Sequence, residues 1–278
     1  MTPGRAPERL EKTLARVARE QGIDQERLRR WVSFLAICGV LERALADGLL
    51  GTYYLKGGVA MELRFAQRAR ATKDLDIGIE GTRTSRLKTL SEVLKIGFDQ
   101  FTFRVKSRTR DMEQADTVRM QVAVQYKTRS WQTIEVDLGP AKFGHGDLIE
   151  PKVHGLAELG VPVTSPVRCL KLADQVAQKL HACTGPFSSG RARDVLDIIL
   201  IDALGELDYA ETAEAARTVF SERATHDFPP EARFPAEWSP ELEASAKDLG
   251  FSIRTIPQIR DRFREIVATL SGTDNYDK

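Results

Sequence analysis

The stretch LKGGVAMELRFAQRARATKDLDIGIEG, Leu55–Gly81, decides how the chain is read. Its last third alternates strictly. Leu75, Ile77 and Ile79 fall on one side, and Asp74, Asp76, Gly78 and Glu80 on the other, which is the period of a β-strand. A strand with one apolar face packs that face on a core, so the position of two carboxylates on the other face needs a reason; buried without partners they would be costly. Upstream, GTYYLKGG reads as a short strand closed by Gly57 and Gly58, and VAMELRFAQRA, rich in helix formers, as the helix that follows.

On the N-terminal side, Glu8 to Gly48 has helical periodicity, with one stripe at Leu10, Leu14 and Val17 and a second helix around Trp31, Phe34, Leu35, Val40 and Leu41. On the C-terminal side a helix is expected over Arg83–Phe98, then three strands in FTFRV, TVRMQVAVQYK and QTIEVDL. In the second of these Val118, Met120, Val122, Val124 and Tyr126 share a face; in the third Ile134, Val136 and Leu138 oppose Thr133, Glu135 and Asp137. VHGLAELGVPVTSP is read as a short strand and loop, Pro166 as the first turn of a helix reaching Ala182, GPFSSG as a break, and the remainder as helical. The order is helices over residues 1–50, an α/β core over 51–160 and a helical region over 161–278.

Asp74 and Asp76, two residues apart on one strand, place their backbones roughly 6–7 Å apart on a common face. They repel unless a cation lies between them, and a hard, oxygen-seeking ion such as Mg²⁺ that also takes phosphate ligands suits the pair. Asp137 has the same parity on another strand. Three such aspartates are the set that holds two Mg²⁺ ions in phosphoryl and nucleotidyl transfer. A lone D-x-D also occurs on many exposed strands. Gly57 and Gly58, at a strand-to-helix turn, offer backbone N–H groups to phosphate oxygens, or simply meet the backbone angles of a tight turn. The G-x-x-x-x-G-K-[ST] spacing of a Walker loop is absent.

Composition sets the outer limits. The 278 residues carry a net charge of +1, with 42% hydrophobic and 29% charged side chains, as in an ordinary soluble protein and unlike a bulk polyanion binder. No apolar run is long enough to cross a bilayer, and MTPGRAPERLEK lacks a signal-peptide core. Cys38, Cys169 and Cys183 are widely spaced, without a C-x-x-C pair, which suits a cytoplasmic location. Arg104, Lys106, Arg108 and Arg110 form a basic run fit for phosphate contacts. The arginines of the N-terminal stretch, Arg27, Arg29 and Arg30 among them, are read as a solvated face balanced by neighbouring acids. His145 and His181 have no partner legible in the sequence.

YYLKGGVAMELR followed by RATKDLDIGIE resembles the signature of the AbiEii/AbiGii (MenT-like) family of nucleotidyltransferase toxins, an LKGG-T-A-L element followed by R-x-[ST]-x-D-[IL]-D. Val59, Met61 and Thr72 stand where threonine, leucine and serine are commoner. DQVAQKLHA and RARDVLDI resemble the family's later motifs, a lysine on a helix and R-x-K-D-h-h-D, and so match Lys179, Arg193 and Asp194, with Arg193 replacing a lysine. The matched segments run from Leu55 to Ile198, about half of the chain.

The resemblance implies an α/β (α+β) fold with a DNA polymerase β-like core, a mixed sheet flanked by N-terminal helices and a C-terminal helical region that completes the active site. It implies an NTP-dependent, EC 2.7.7-type enzyme with two Mg²⁺ ions on Asp74 and Asp76, which Asp137 joins by strand parity and not by motif. Gly57, Gly58, Arg70 and Lys179 are then assigned to the nucleotide, and Asp194 to Lys179 or the acceptor. Further implications are a toxin with a cognate AbiEi/MenA-like antitoxin and a tRNA 3′ end as acceptor. Thr72, beside the aspartates, is a position where phosphorylation would add repelling charge. Two other classes share these features: a nucleotidyltransferase acting on a small molecule such as an aminoglycoside, and a non-catalytic nucleotide-binding protein.

Overall fold

A computed structural model describes residues 6–112, 116–142, 146–152, 159 and 166–272. These residues fall into two units, divided between Leu170 and Lys171.

In the first unit, α1 (Ala6–Gln21) and α2 (Gln25–Ala46) precede β1 (Tyr53–Lys56). Asp24 caps α2 by accepting from the Arg27 backbone N–H, satisfying one of the donors that a helix start leaves over. Then come α3 (Gly57–Phe65), β2 (Asp74–Ile79), α4 (Arg83–Leu94), β3 (Phe101–Met112), β4 (Thr117–Tyr126), β5 (Arg129–Pro140), β6 (Asp147–Ile149) and β7 (Val167–Cys169). The strands form one seven-stranded mixed sheet in the order β3-β4-β5-β2-β1-β7-β6. β2 runs parallel to β5 and antiparallel to β1, while β1 runs parallel to β7.

The alternation seen in the sequence sorts the two faces. Leu75, Ile77, Val118, Met120, Val122, Ile134, Val136 and Leu138 are buried in one core with Trp31, Phe34, Leu41 and Leu90 of the helices. The opposite parity carries Asp74, Asp76, Arg119, Glu135 and Asp137. A one-residue slip of β2 would exchange these sets, so burial of Leu75, Ile77 and Ile79 holds both aspartates on the polar face.

Two expectations change. The segment after Pro166 is not helical: Val167–Cys169 is strand β7, with Val167 and Cys169 buried, and the helix starts only at Leu172. Pairing of Cys169 with Leu55 outweighs the local preference of proline for a first helical turn. The N-terminal arginines are not all solvated either. Arg27 donates to Glu62 Oε1 at 2.6 Å and to the Ala66 and Ala69 carbonyls, and Arg29 pairs with Glu11 while its guanidinium lies 4.5 Å from the Trp131 ring centroid. Most of VHGLAELGVPVTSP, His145, and the side chains of Arg108 and Arg110 lie outside the described residues.

The second unit is helical, with α5 (Leu172–Thr184), α6 (Ala192–Ala203), α7 (Tyr209–Arg223), α8 (Ser239–Asp248) and α9 (Ile256–Ser271), and a 3₁₀ turn at Ala236–Trp238. Val176, Leu180, Val195, Ile198, Phe220, Trp238, Leu242, Ile259, Phe263 and Ile266 are buried. A capping box between Thr255 and Gln258 opens α9. No described helix is long and apolar enough to cross a membrane.

Candidate active site

Register brings the first unit's polar residues together. Asp76 pairs with Asp137 across β2 and β5, Asp137 with Arg119 across β5 and β4, and Asp76 with Lys56 across β2 and β1. One row across the sheet therefore reads Arg119, Asp137, Asp76, Lys56. Asp74 and Glu135 form the neighbouring pair. Like charges placed directly opposite one another on a sheet destabilise it, and this face concentrates four carboxylates.

Arg119 answers three of them, Asp137, Asp74 and Glu135. Its Nε donates to Asp137 Oδ1 and its Nη2 to Oδ2, both at 2.7 Å, a two-pronged contact of the strong kind. The same guanidinium lies 3.7 Å from Asp74 and 3.6 Å from Glu135. Burial pushes the Asp74 carboxyl above its ordinary value; Arg119 opposes the shift, and the charges of Asp137 and Glu135 add to it. The hydrogen bonds to Asp137 hold Arg119 firmly protonated.

Beside this row the chain turns from β1 into α3. Gly57 has φ +63°, and a Cβ there would stand 1.9 Å from Asp76 Oδ2, so glycine meets both a left-handed backbone and a close carboxylate. A Cβ on Gly58 would stand 2.8 Å from Thr72 and 3.6 Å from the Arg70 guanidinium. The start of α3 has no side-chain cap.

Thr72 is 6% exposed. Its backbone N–H donates to Glu62 Oε2 at 3.0 Å, and its hydroxyl lies 3.4–3.5 Å from the Asp74 backbone. A modifying enzyme would reach that hydroxyl only after the segment opened. Glu62 is fully buried, and burial raises its carboxyl although Arg27 acts against the shift. Arg27 and Glu62 thus tie α2 and α3 to the strand entry that carries Asp74.

In the second unit α5 buries several polar side chains, Gln175, Lys179 and His181 among them. Lys179 is 7% exposed, and its ammonium donates to Asp194 Oδ1 at 2.8 Å and to Asp197 Oδ2 at 2.7 Å. Asp197 is completely buried. Arg193 is exposed and bonds Glu241 at 2.6 Å. His181 belongs to a polar chain in which Thr225 Oγ1 lies 2.9 Å from its Nε2 and 3.0 Å from His226 Nδ1, and Arg223 approaches its Nδ1 at 3.3 Å.

Sequence reading missed Arg119, Glu135, Glu62, Arg27 and Asp197. Arg119 was within reach, since Val118 and Met120 on the buried face of β4 put it on the other. The role of Glu62 was not, because a glutamate in a helix rich in helix formers has no local sign of a remote arginine.

Among the described residues no three or more His, Cys, Asp or Glu surround a common metal position. The donor set nonetheless fits Mg²⁺: Asp74, Asp76 and Asp137 are all-oxygen ligands on one polar face. Both oxygens of Asp137 are engaged by the Arg119 guanidinium.

No curated protein matches the sequence. Among solved structures, MenT4, the nucleotidyltransferase toxin Rv2826c from Mycobacterium tuberculosis H37Rv, is similar with a TM-score of 0.57 and 16% identity over 95% of this chain and 90% of that one. At that identity the similarity speaks to the fold. Two structures of ANT(2'')-Ia, an antibiotic-resistance factor in solution and a complex with adenylyl-2''-tobramycin, align less well, at TM-scores of 0.40 and 0.42 with 15% and 18% identity over 68% and 69% of this chain and 92% and 98% of theirs. The model of the nucleotidyl transferase AbiEii toxin family, of type IV toxin–antitoxin systems, matches residues 39–269, well over half of the chain. The polar sheet face thus sits within the matched region, and the chain belongs to the AbiEii family of nucleotidyltransferase toxins.

Proposed function

We propose that the protein transfers a nucleoside monophosphate from an NTP to the 3′ end of tRNA, blocking aminoacylation, with Mg²⁺ held by Asp74, Asp76 and Asp137. The observation that carries this reading is the register that sets Asp76 opposite Asp137, next to the glycine start of α3. Bound divalent ions would stabilise charge on the α-phosphate and favour the ionised acceptor hydroxyl.

The chain's own groups have separate tasks. The N–H groups at Gly57 and Gly58 hold phosphate oxygens, with Arg70 beside them. Asp137 orients the acceptor hydroxyl and takes its proton. The hydroxyl oxygen then bonds to the α-phosphorus as the bond to the bridging α–β oxygen breaks, and pyrophosphate leaves with that electron pair. Lys179 is held by Asp194 and Asp197 in the second unit, and its task there is structural. Arg104 and Lys106 are exposed on β3, and Lys106 bonds Thr133 at 3.0 Å, on the strand face shared by Glu135 and Asp137; both favour an RNA backbone as acceptor. A cytoplasmic setting and neutralisation by an AbiEi/MenA-like antitoxin complete the reading.

The test is incubation of the purified protein with Mg²⁺, total tRNA and each labelled NTP in turn, beside Asp76→Ala. Label on tRNA with the wild type alone is the expected result. Absence of label on tRNA together with turnover of an aminoglycoside would replace the acceptor with a small molecule.

A further inference from the structure

Arg119 occupies an unusual position for a residue on the polar face. Both oxygens of Asp137 are engaged by its N–H groups at 2.7 Å, and the nearest carboxylate oxygens of Asp74 and Glu135 lie within 3.7 Å of the same guanidinium. Asp137 is only 9% exposed, so water screens its contact with Arg119 weakly. A carboxylate held at both oxygens has lone pairs left, yet a divalent ion approaching it would meet a fixed positive charge at close range. The two cations compete for one ligand.

We propose that Arg119 is a resident counter-cation of the carboxylate face, and that a divalent ion gains Asp137 only by displacing it. This rests on the metal-dependent reading of the same aspartates. The sheet needs such a cation when no metal is bound, because Asp74, Glu135, Asp76 and Asp137 are direct neighbours across β2 and β5. The exchange makes metal affinity at Asp137 a property of Arg119 as much as of the aspartate. It also separates Asp137 from Asp76, whose strand partner on the other side is Lys56. Arg119 is a positioning residue here: it acts on Asp137 and does not touch the reacting atoms.

The experiment titrates Mn²⁺ alone into the wild type, Arg119→Met and Arg119→Lys, reading free Mn²⁺ by electron paramagnetic resonance, with a thermal melt of each protein. Losing a charge-assisted, two-pronged contact is expected to tighten binding about tenfold or more in Arg119→Met. Arg119→Lys keeps the charge but not the fork, and should fall between. Adding Asp137→Asn to Arg119→Met should cancel the gain. Equal or weaker Mn²⁺ binding by a folded Arg119→Met would overturn the proposal and leave the transferase reading intact. Should Arg119→Met fail to fold, an unchanged affinity in Arg119→Lys would do the same. If none of the proteins binds Mn²⁺, the metal-dependent reading falls and the proposal with it, whereas transfer lost in Asp76→Ala without a gain in Arg119→Met counts against the proposal alone.

Discussion

The sheet face of the first unit and the Lys179 cluster of the second solve opposite electrostatic problems. On the sheet, Asp74, Glu135 and Asp137 gather around Arg119 with partial access to water, and Asp76 is the next carboxylate in the row. In the helical unit, Lys179, Asp194 and Asp197 are buried, with one ammonium between two carboxylates at 2.8 and 2.7 Å. The first arrangement holds excess negative charge that an incoming cation can neutralise. The second is nearly self-contained, and its geometry is closed by packing. Removing a charge should therefore impair chemistry in one region and folding in the other.

The sharpest way to break that contrast is Asp76→Ala. On the proposed metal role, losing this carboxylate is expected to lower nucleotidyl transfer by about 10³-fold or more, equivalent to about 4 kcal/mol, while a thermal melt stays near that of the wild type because a repelling charge has also gone. A large fall in melting temperature with residual transfer would make the sheet face structural. Next in size is Lys179→Met, which leaves Asp194 and Asp197 buried without their ammonium. Breaking a buried pair costs about 3–5 kcal/mol, and urea unfolding should show it; an unchanged midpoint would mean that the cluster opens to water.

The histidines of the second unit sharpen the comparison through pH. Burial, with Arg223 and His226 acting in the same direction, pushes His181 down to about 4 from its ordinary 6.5. Between those values the unfolded chain binds more protons than the folded one, so stability is fully present above about pH 6.5, falls as the pH drops and levels off below about 4. The expected loss at pH 4.5 is about 1–3 kcal/mol, read as the difference between wild type and His181→Gln in urea unfolding. Parallel pH profiles for the two proteins would refute it. The smallest effect is expected from Arg193→Lys. Arg193 pairs with Glu241 at an exposed position, and surface pairs are worth about 0–1 kcal/mol; a change in melting temperature of more than a degree or two would point to a role beyond that contact.

Strict alternation made β2, β4 and β5 legible, because a half-buried strand imposes a two-residue period on its own sequence. The same parity put Asp74, Asp76 and Asp137 on the polar side of their strands without saying which strands were neighbours. Pro166 misled, since a first-turn preference is local and the pairing of Cys169 with Leu55 is not. Lys179 was matched by motif, but its burial depends on acids elsewhere in space, which no local pattern reports.

By itself, the sequence determined most elements as far as β5, the family and the polarity of β2, β4 and β5, because periodicity and motif spacing are local properties of a chain. Only the tertiary structure decided that Asp76 lies opposite Asp137, that Arg119 holds Asp137, that Arg27 and Glu62 brace the approach to Asp74, and that Asp197 shares Lys179. Each of those depends on strand order, register or helix packing between residues well apart in sequence. Such contacts are settled by what the whole core can bury, not by the identity of any short segment.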